Sequence, residues 1–243
     1  MANNEQDQPW RLRVLLEPKG FIKILEFILS VCMFATTAGY SDDLLYNLSC
    51  PTMPDERKIH IEYPFQLNTV EVPAGCTSSD DMYLGGDASG AAKFFVAIGV
   101  LAFLYVIAIT AWYVFLEHKH LEWDLVPMVD FGIHCVFTFM FFIASCVWAA
   151  GVNEVKDHTD FDNMKADVLK DQCSGNQTCK LTEALSFASL NVSLLFGFLN
   201  VVVWGGNCWF VYKETSLFGN KRDTGNGATG PPDQKVEVPT NTI

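Results

Sequence analysis

The chain has 243 residues, half of them hydrophobic, and a formal net charge of −12 at pH 7. This acidic balance excludes a nucleic-acid-binding role, because contact with phosphate groups needs clustered lysine and arginine. The apolar residues fall in long blocks between strongly polar stretches. That pattern is typical of an integral membrane protein and leaves no room for a large soluble core.

Four apolar runs are long enough to cross a bilayer, since a helix of about 20 residues at about 1.5 Å per residue spans roughly 30 Å of hydrocarbon. In lipid such isolated segments are helical, because a helix satisfies every backbone polar group internally. The predicted spans are residues 21–40, 94–116, 131–150 and 190–212. The sequence therefore predicts an all-α membrane fold.

The first span follows several basic residues, so a cleaved signal peptide is the alternative to a retained helix. Its length and its interruption by Lys23 and Glu26 favour retention. These two residues lie three apart on one helical face, and we predict that they pair and snorkel to the nearer interface, with a proton relay as the alternative. Lys19, Phe21 and Leu25 match a loose cholesterol-binding pattern.

Four spans place both termini on one side of the membrane. Residues 1–20 form the N-terminal segment, residues 21–212 the four-span unit, and residues 213–243 a tail. We predict a disordered tail, because glycine, asparagine, proline and charge dominate it. The two long loops, residues 41–93 and 151–189, lie on the opposite side.

Cysteines and glycosylation sequons predict which side is which. All the cysteines outside the spans, and the sequons of Asn47 and Asn176, fall in the two long loops; the cysteines are Cys50, Cys76, Cys173 and Cys179. This distribution is typical of an oxidising lumen opposite a reducing cytosol, so we predict lumenal loops and cytosolic termini. The sequence alone leaves three pairings open, and cheap local closure favours one bridge within each loop. Zinc is a poor alternative, because the chain lacks a Cys-x-x-Cys pair in these loops.

The first long loop contains an alternating pattern. Apolar residues occur at every second position, namely Ile59, Ile61, Tyr63, Phe65 and Leu67. A period of two predicts a strand, and Pro64 limits it to an edge strand or a broken one. We therefore expect a small, partly β, disulfide-stapled lumenal cap.

The fourth span carries small and polar residues that predict helix association. Ser189, Ser193 and Gly197 recur every four residues, and Asn200 and Asn207 share a face. Small residues allow close backbone approach, and asparagine forms hydrogen bonds between helices. Because polar residues inside a membrane are often functional, an oligomeric channel or transporter is the alternative interpretation.

Aromatic residues near the ends of the spans are expected to lie at the membrane interfaces. Trp112, Tyr113, Trp209 and Tyr212 fall near the terminal side, and Tyr40 and Trp148 near the loop side. Tyrosine and tryptophan are enriched at such interfaces because their rings are amphipathic.

We predict no enzyme, no cofactor and no metal. A Ser/His/Asp or Cys/His arrangement cannot be placed on one side of the membrane. His118 and His120 lie in a short charged loop without a third candidate ligand nearby, which favours a solvated turn.

Long sequence blocks are spread over all four spans. They are EPKGFIKILEF (17–27), FATTAGY (34–40), YPFQLN (63–68), GDASGAAKFFVAIGVLAFLY (86–105), PMVDF (127–131) and SLNVSLLFGFLNVVVWGGNCWFVYKET (189–215). These blocks resemble the synaptophysin, synaptoporin and pantophysin family of vesicle tetraspans. The short, repeat-free tail is most similar to the pantophysin branch, so functions of a Tyr-Gly-rich tail are not implied.

The resemblance implies a MARVEL-type four-helix bundle in the membrane of secretory or synaptic-like transport vesicles. It also implies lumenal glycosylation, homo-oligomers, association with membrane lipid and cholesterol, and binding of a synaptobrevin-type vesicle fusion protein. The expected function is non-enzymatic scaffolding of the vesicle membrane and of fusion-protein trafficking in exocytosis. A junctional MARVEL protein of the plasma membrane is a further alternative.

Overall fold

A computed structural model of the chain describes residues 18–49, 56–73, 82–120, 125–170, 172–173 and 179–214. Several predictions concern residues outside this part of the chain. They are those for Cys50, Cys76 and Asn176, for most of the N-terminal segment and for most of the tail.

Four long helices form the body of the protein, and a short one follows the third. The helices are α1 (Pro18–Ala38), α2 (Ser89–His120), α3 (Leu125–Thr159), α4 (Phe161–Ala166) and α5 (Ala188–Glu214). Each long helix contains a stretch of 19 to 32 residues that is long and apolar enough to cross a membrane. The four predicted spans are therefore confirmed as helices, except that α1 ends at Ala38 and the first predicted span extends to residue 40.

The third span differs from its prediction in length, because α3 continues beyond residue 150 to Thr159. Its last turn contains Lys156 and His158, and basic groups there interact favourably with the negative end of the helix dipole. A hydropathy pattern detects only the apolar part of a helix, so this polar extension was missed.

The long helices form an antiparallel ring in the order α1, α2, α3, α5, and each packs against its two neighbours in that ring. Large fully buried side chains fill the interior, among them Phe95, Trp148 and Trp204. The outer surface is apolar, and residues such as Phe139 and Val202 are 59% and 69% exposed. This is the distribution expected of a bundle whose outer solvent is lipid.

A small β cap covers one end of the bundle, which we call the loop end. Its main sheet is antiparallel in the order β2, β1, β5, with β1 (Ser41–Leu48), β2 (Glu56–Glu62) and β5 (Cys179–Glu183). A separate two-stranded ladder joins β3 (Glu71–Val72) to β4 (Met82–Tyr83). The predicted alternating strand exists as the edge strand β2, but it ends at Glu62, shortly before Pro64.

The second long loop completes this sheet, which the sequence did not predict. Its strand β5 pairs with β1 in a register that sets Leu48 opposite Cys179. The disulfide between Cys173 and Cys179 closes the segment before β5, with Cα atoms 5.5 Å apart. The two loops therefore form one cap rather than two independent loops.

Two of the six expected interfacial aromatics, Tyr40 and Trp148, lie in the interior. Tyr40 is 5% exposed and Trp148 is fully buried, so the prediction for these residues was wrong. The indole nitrogen of Trp148 donates to the hydroxyl of Ser193 at 2.9 Å, and its ring lies 5.4 Å from that of Phe65 in the cap. Trp148 therefore joins the bundle to the cap, because its polar atom finds its partner inside the protein.

Candidate functional site

Six polar side chains, contributed by all four long helices, meet in the interior of the bundle. We call them the inner polar cluster: Lys23 and Glu26 of α1, Tyr105 of α2, Asp130 and His134 of α3, and Asn207 of α5. Glu26 and His134 are fully buried, and Lys23 is only 8% exposed. Ionisable groups inside a membrane bundle are costly, so such a cluster marks a candidate functional site.

Helical spacing explains why these residues converge. Lys23 and Glu26 lie three apart and Asp130 and His134 four apart, so each pair shares one helical face. Lys23 and Asp130 each follow the start of their helix by five residues. The cluster therefore lies close to the end of the bundle opposite the cap, which we call the terminal end.

Lys23 and Glu26 form the ion pair that the sequence predicted, but the pair does not snorkel. The lysine Nζ lies 3.1 Å from Glu26 Oε2 and 2.6 Å from Nε2 of His134, across the centre of the bundle. The prediction that this pair reaches the interface was wrong. His134 offers the buried ammonium group an acceptor that a hydropathy argument cannot detect.

His134 contacts residues of three helices through its two ring nitrogens. Nδ1 lies 2.7 Å from the backbone oxygen of Asp130 and 3.1 Å from its carboxylate, and both are acceptors. Nε2 faces two donors, the ammonium of Lys23 and the amide nitrogen of Asn207 at 3.0 Å. Nε2 also lies 3.5 Å from Oε1 of Glu26, so this ring nitrogen has both donor groups and an acceptor group within reach.

The remaining members fix the two carboxylates. The Asn207 amide donates to Glu26 Oε1 at 2.7 Å, which orients that amide. The Tyr105 hydroxyl donates to the carboxylate of Asp130. Both carboxylates thus accept hydrogen bonds from neighbouring helices, and the cluster links all four spans.

Aromatic rings separate the cluster from the rest of the interior. The ring of Trp204 lies 5.0 Å from that of His134, and the Lys23 ammonium lies 5.9 Å from the centroids of Trp204 and Tyr105. Phe137 and Phe141 pack against the other side of Trp204 at 4.9 and 5.5 Å. A group of tilted aromatic rings therefore lies between the polar centre and the loop end.

His134 and Tyr105 were not identified from the sequence. A signal for His134 existed, because an aspartate four residues earlier in an apolar run places two polar groups on one face. Tyr105 gave no such signal, since a tyrosine in a span is ordinary. Asn207 was predicted to bond between helices, and its contacts with Glu26 and His134 are of that kind.

The helix-association residues of α5 face other helices of the same chain. Ser189 donates to the backbone oxygen of Thr36 on α1 at 2.9 Å, and the fully buried Ser193 accepts from Trp148 on α3. A Cβ atom at Gly197 would lie 2.5 Å from Ser145 Oγ on α3. Each of these contacts joins α5 to a neighbour within the bundle.

Asn200, the remaining residue of that group, is fully buried. Its amide nitrogen bonds to the backbone oxygen of Phe196 on its own helix at 2.9 Å, and it lies 3.8 Å from Met33 Sδ on α1. Its contact with α1 is therefore weak, because a thioether sulfur is a poor acceptor.

Some of the residues predicted to lie on the loop side, among them Asn47, are described by the structure and lie in the cap. Asn47 lies half-buried on the central strand β1, opposite Glu56 and Lys180. Nearby on the sheet, hydrogen bonds from Lys58 and His60 lower the pKa of the Asp43 carboxyl, and the same carboxyl raises the pKa of His60. These three charged side chains form an exposed network on the surface of the sheet.

Within the described ranges, no group of three His, Cys, Asp or Glu side chains is arranged to hold a metal ion. In the inner polar cluster, each charged group already has a partner of the opposite charge or a hydrogen bond. These contacts join the four long helices to one another.

The comparison with known families agrees with this architecture. The model of the MARVEL family, described as a membrane-associating domain, matches residues 14–210. The match covers the first three spans, the cap and most of the fourth span, and it is to a membrane-associating family rather than an enzyme family. The chain therefore belongs to the MARVEL family and is an integral membrane protein with four spans.

Proposed function

We propose that this chain is a vesicle tetraspan of the synaptophysin group. In this proposal it is a non-enzymatic scaffold in secretory or synaptic-like transport vesicles that organises membrane lipid and a synaptobrevin-type fusion protein. The sequence blocks that resemble that group support the subgroup and the vesicle location. The distribution of polar and apolar groups in the bundle supports the scaffold role.

The observation that carries the scaffold role is that polar groups point inward while the outer faces are apolar. Residues on three different helices, Leu101, Phe139 and Val202, are more than half exposed and would contact lipid or another membrane helix. Because hydrophobic burial gives little drive for association in lipid, such faces bind partners by close packing. They suit lateral contact with cholesterol, with a single-span fusion protein, or with further copies of the chain.

Packing of the interior argues against the channel alternative. Phe95, Phe141, Trp148 and Trp204 are fully buried along the centre of the bundle. Conduction needs a path lined by groups that replace the hydration of the ion. In the described part of the chain, aromatic rings occupy that position, and the intramembrane asparagines bond within the protein.

The disulfide supports the proposed orientation. Cys173 and Cys179 are joined in the cap, and disulfides persist on the oxidising side of a membrane. Protease added to intact vesicles should therefore remove the tail after residue 214 and leave the cap uncut. A cut cap with a protected tail would invert the orientation.

Immunoisolation of intact vesicles through an epitope on the tail tests the function. We expect the fusion protein to co-isolate, and its delivery to vesicles to fall in cells that lack the chain. Alanine variants of Phe139 and Val202, on different outer faces, should show which face binds, and each serves as the control for the other. Labelling of the cap at the surface of resting cells, with the chain absent from vesicles, would instead support the junctional alternative.

A further inference from the structure

A cleft of about 600 Å³ opens in the cap. Its walls come from the last turn of α3, from α4, from β5 and from the segment that leads into α5. The charged residues that line it are Lys156, Asp160, Asp162, Lys165 and Lys180. The volume of this cleft is in the range of sites that hold a small molecule or a head group, so its charges decide which ligand fits.

Two of the three lysines in the cleft have no carboxylate partner. Lys165 forms an ion pair with Asp162 at 3.3 Å. The Nζ atom of Lys156 donates instead to the neutral amide oxygen of Asn191 at 3.1 Å, and none of the described residues forms an ion pair with Lys156 or Lys180. The cleft therefore offers two ammonium groups to an anion, in a chain whose net charge is −12.

The two carboxylates of the cleft have partners of their own. Asp162 is paired with Lys165, as described above. Asp160 is the N-cap of α4 and accepts a hydrogen bond from the backbone nitrogen of Asn163 at 3.3 Å. The ammonium groups of Lys156 and Lys180 are therefore the ones that remain for an incoming anion.

The cleft lies at the level where the lipid-facing surface begins. Asn191, which accepts from Lys156, is in the first turn of α5. The outward-facing residues that follow on this helix are apolar, and Val192 and Leu195 are 40% and 57% exposed. Phospholipid phosphates lie just outside the hydrocarbon, and lysine side chains near helix ends extend towards that level. A lipid whose chains lie along these residues therefore has its phosphate at the height of the cleft.

We infer that this cleft binds the phosphodiester of one phospholipid from the leaflet on the cap side, with Lys156 and Lys180 as its two cationic ligands. Lysine binds phosphate as a point charge, and hydrogen bonds between charged groups are stronger than those between neutral groups. The acyl chains lie on the outer face of α5, beside Val192 and Leu195. The inference deepens the lipid-organising part of the proposed function and rests on it only for the position of the chain in a bilayer.

Native mass spectrometry of the full chain in detergent, with added dioleoyl phosphatidylcholine, tests the inference. We expect retention of one lipid molecule, with much weaker retention of dioleoylglycerol, which has the same chains and no phosphate. Lys156→Ala and Lys180→Ala should each weaken phosphatidylcholine binding about tenfold, and Lys156→Arg should retain it. Lys58→Ala is the matched control, because Lys58 lies in the same cap but is paired with Asp43 at 2.6 Å, and it should bind like the parent.

Three results would overturn the inference. Equal retention of the two lipids would show that the phosphate is not recognised. Parent-like binding by both alanine variants would place the lipid elsewhere, and Lys180→Ala, on an exposed strand position, keeps this comparison available where Lys156→Ala does not fold. Binding of soluble glycerophosphocholine as tight as that of phosphatidylcholine would identify a free phosphate ester as the ligand. All three concern the isolated chain, so they leave co-isolation of the fusion protein as a separate test.

Discussion

Replacement of Gly197 by leucine should destabilise the bundle of a single chain. A Cβ atom added there would lie 2.5 Å from Ser145 Oγ and 2.8 Å from Cε2 of Phe95, and both neighbours belong to other helices. These distances are shorter than real Cβ contacts, so the side chains of Ser145 and Phe95 or the helices that carry them must shift. Overpacking of this kind costs about 1–3 kcal/mol in soluble cores.

The matched control is Gly206→Leu on the same helix, where an added Cβ meets nothing within 4 Å. Both changes gain the same intrinsic helix propensity, so their difference isolates the clash. For a chain of this length, 1–3 kcal/mol corresponds to a melting temperature lower by roughly 2–12 °C. Thermal unfolding in detergent measures it, and crosslinking reports whether oligomers survive.

Equal melting temperatures for the two variants would refute the internal position of the Gly197 face. Normal stability combined with loss of oligomers only in Gly197→Leu would show instead that this face contacts a neighbouring copy.

Three further predictions concern the cap. Gly86→Ala should lower the melting temperature more than Gly90→Ala, because Gly86 has φ +88° and left-handed backbone costs other residues about 1–2 kcal/mol, whereas Gly90 has open space; equal effects would contradict this. Because the pKa of His60 is raised, its protonated ring stabilises the fold fully below about pH 6.5, and this stabilisation is lost as pH rises through the raised pKa. Because the pKa of Asp43 is lowered, its ionised carboxyl stabilises the fold fully above about pH 4. The parent should therefore melt slightly higher than His60→Gln between those limits and equally at pH 9, and a gap that grows toward pH 9 would reverse the sign. Asn47→Gln should remove most of the glycosidase-sensitive mobility shift, and a shift that depends only on the second sequon would reverse that ranking.

The features that were predicted correctly from the sequence are those that depend on a pattern extending over many residues. Four apolar runs gave four helices, and period-two alternation gave β2 around Ile59 and Ile61. It could not predict how each helix is rotated, because small hydrophobic preferences between faces disappear when the outer solvent is itself apolar. Trp148 was therefore assigned to the interface although it lies in the core.

The candidate site depended on that rotation. From the sequence, Lys23 is interpreted as a snorkelling residue. Only the structure shows that His134, on a non-adjacent helix, lies 2.6 Å from it. Strand β5 was missed for a related reason, since a five-residue polar strand becomes recognisable only through its pairing with β1. Contacts between segments that are distant in the sequence therefore determine both the inner polar cluster and the pairing of β5, and local sequence patterns do not predict them.

Crosslinking mass spectrometry on isolated native vesicles tests the central claim, a vesicle tetraspan that binds a fusion protein, most directly. The account predicts crosslinks between copies of the chain, crosslinks to a synaptobrevin-type fusion protein, and pairs between the first and second long loops consistent with the β1–β5 ladder. Recovery of the intrachain pairs without the fusion protein, together with crosslinks to plasma-membrane junction proteins, would keep the fold and contradict the function.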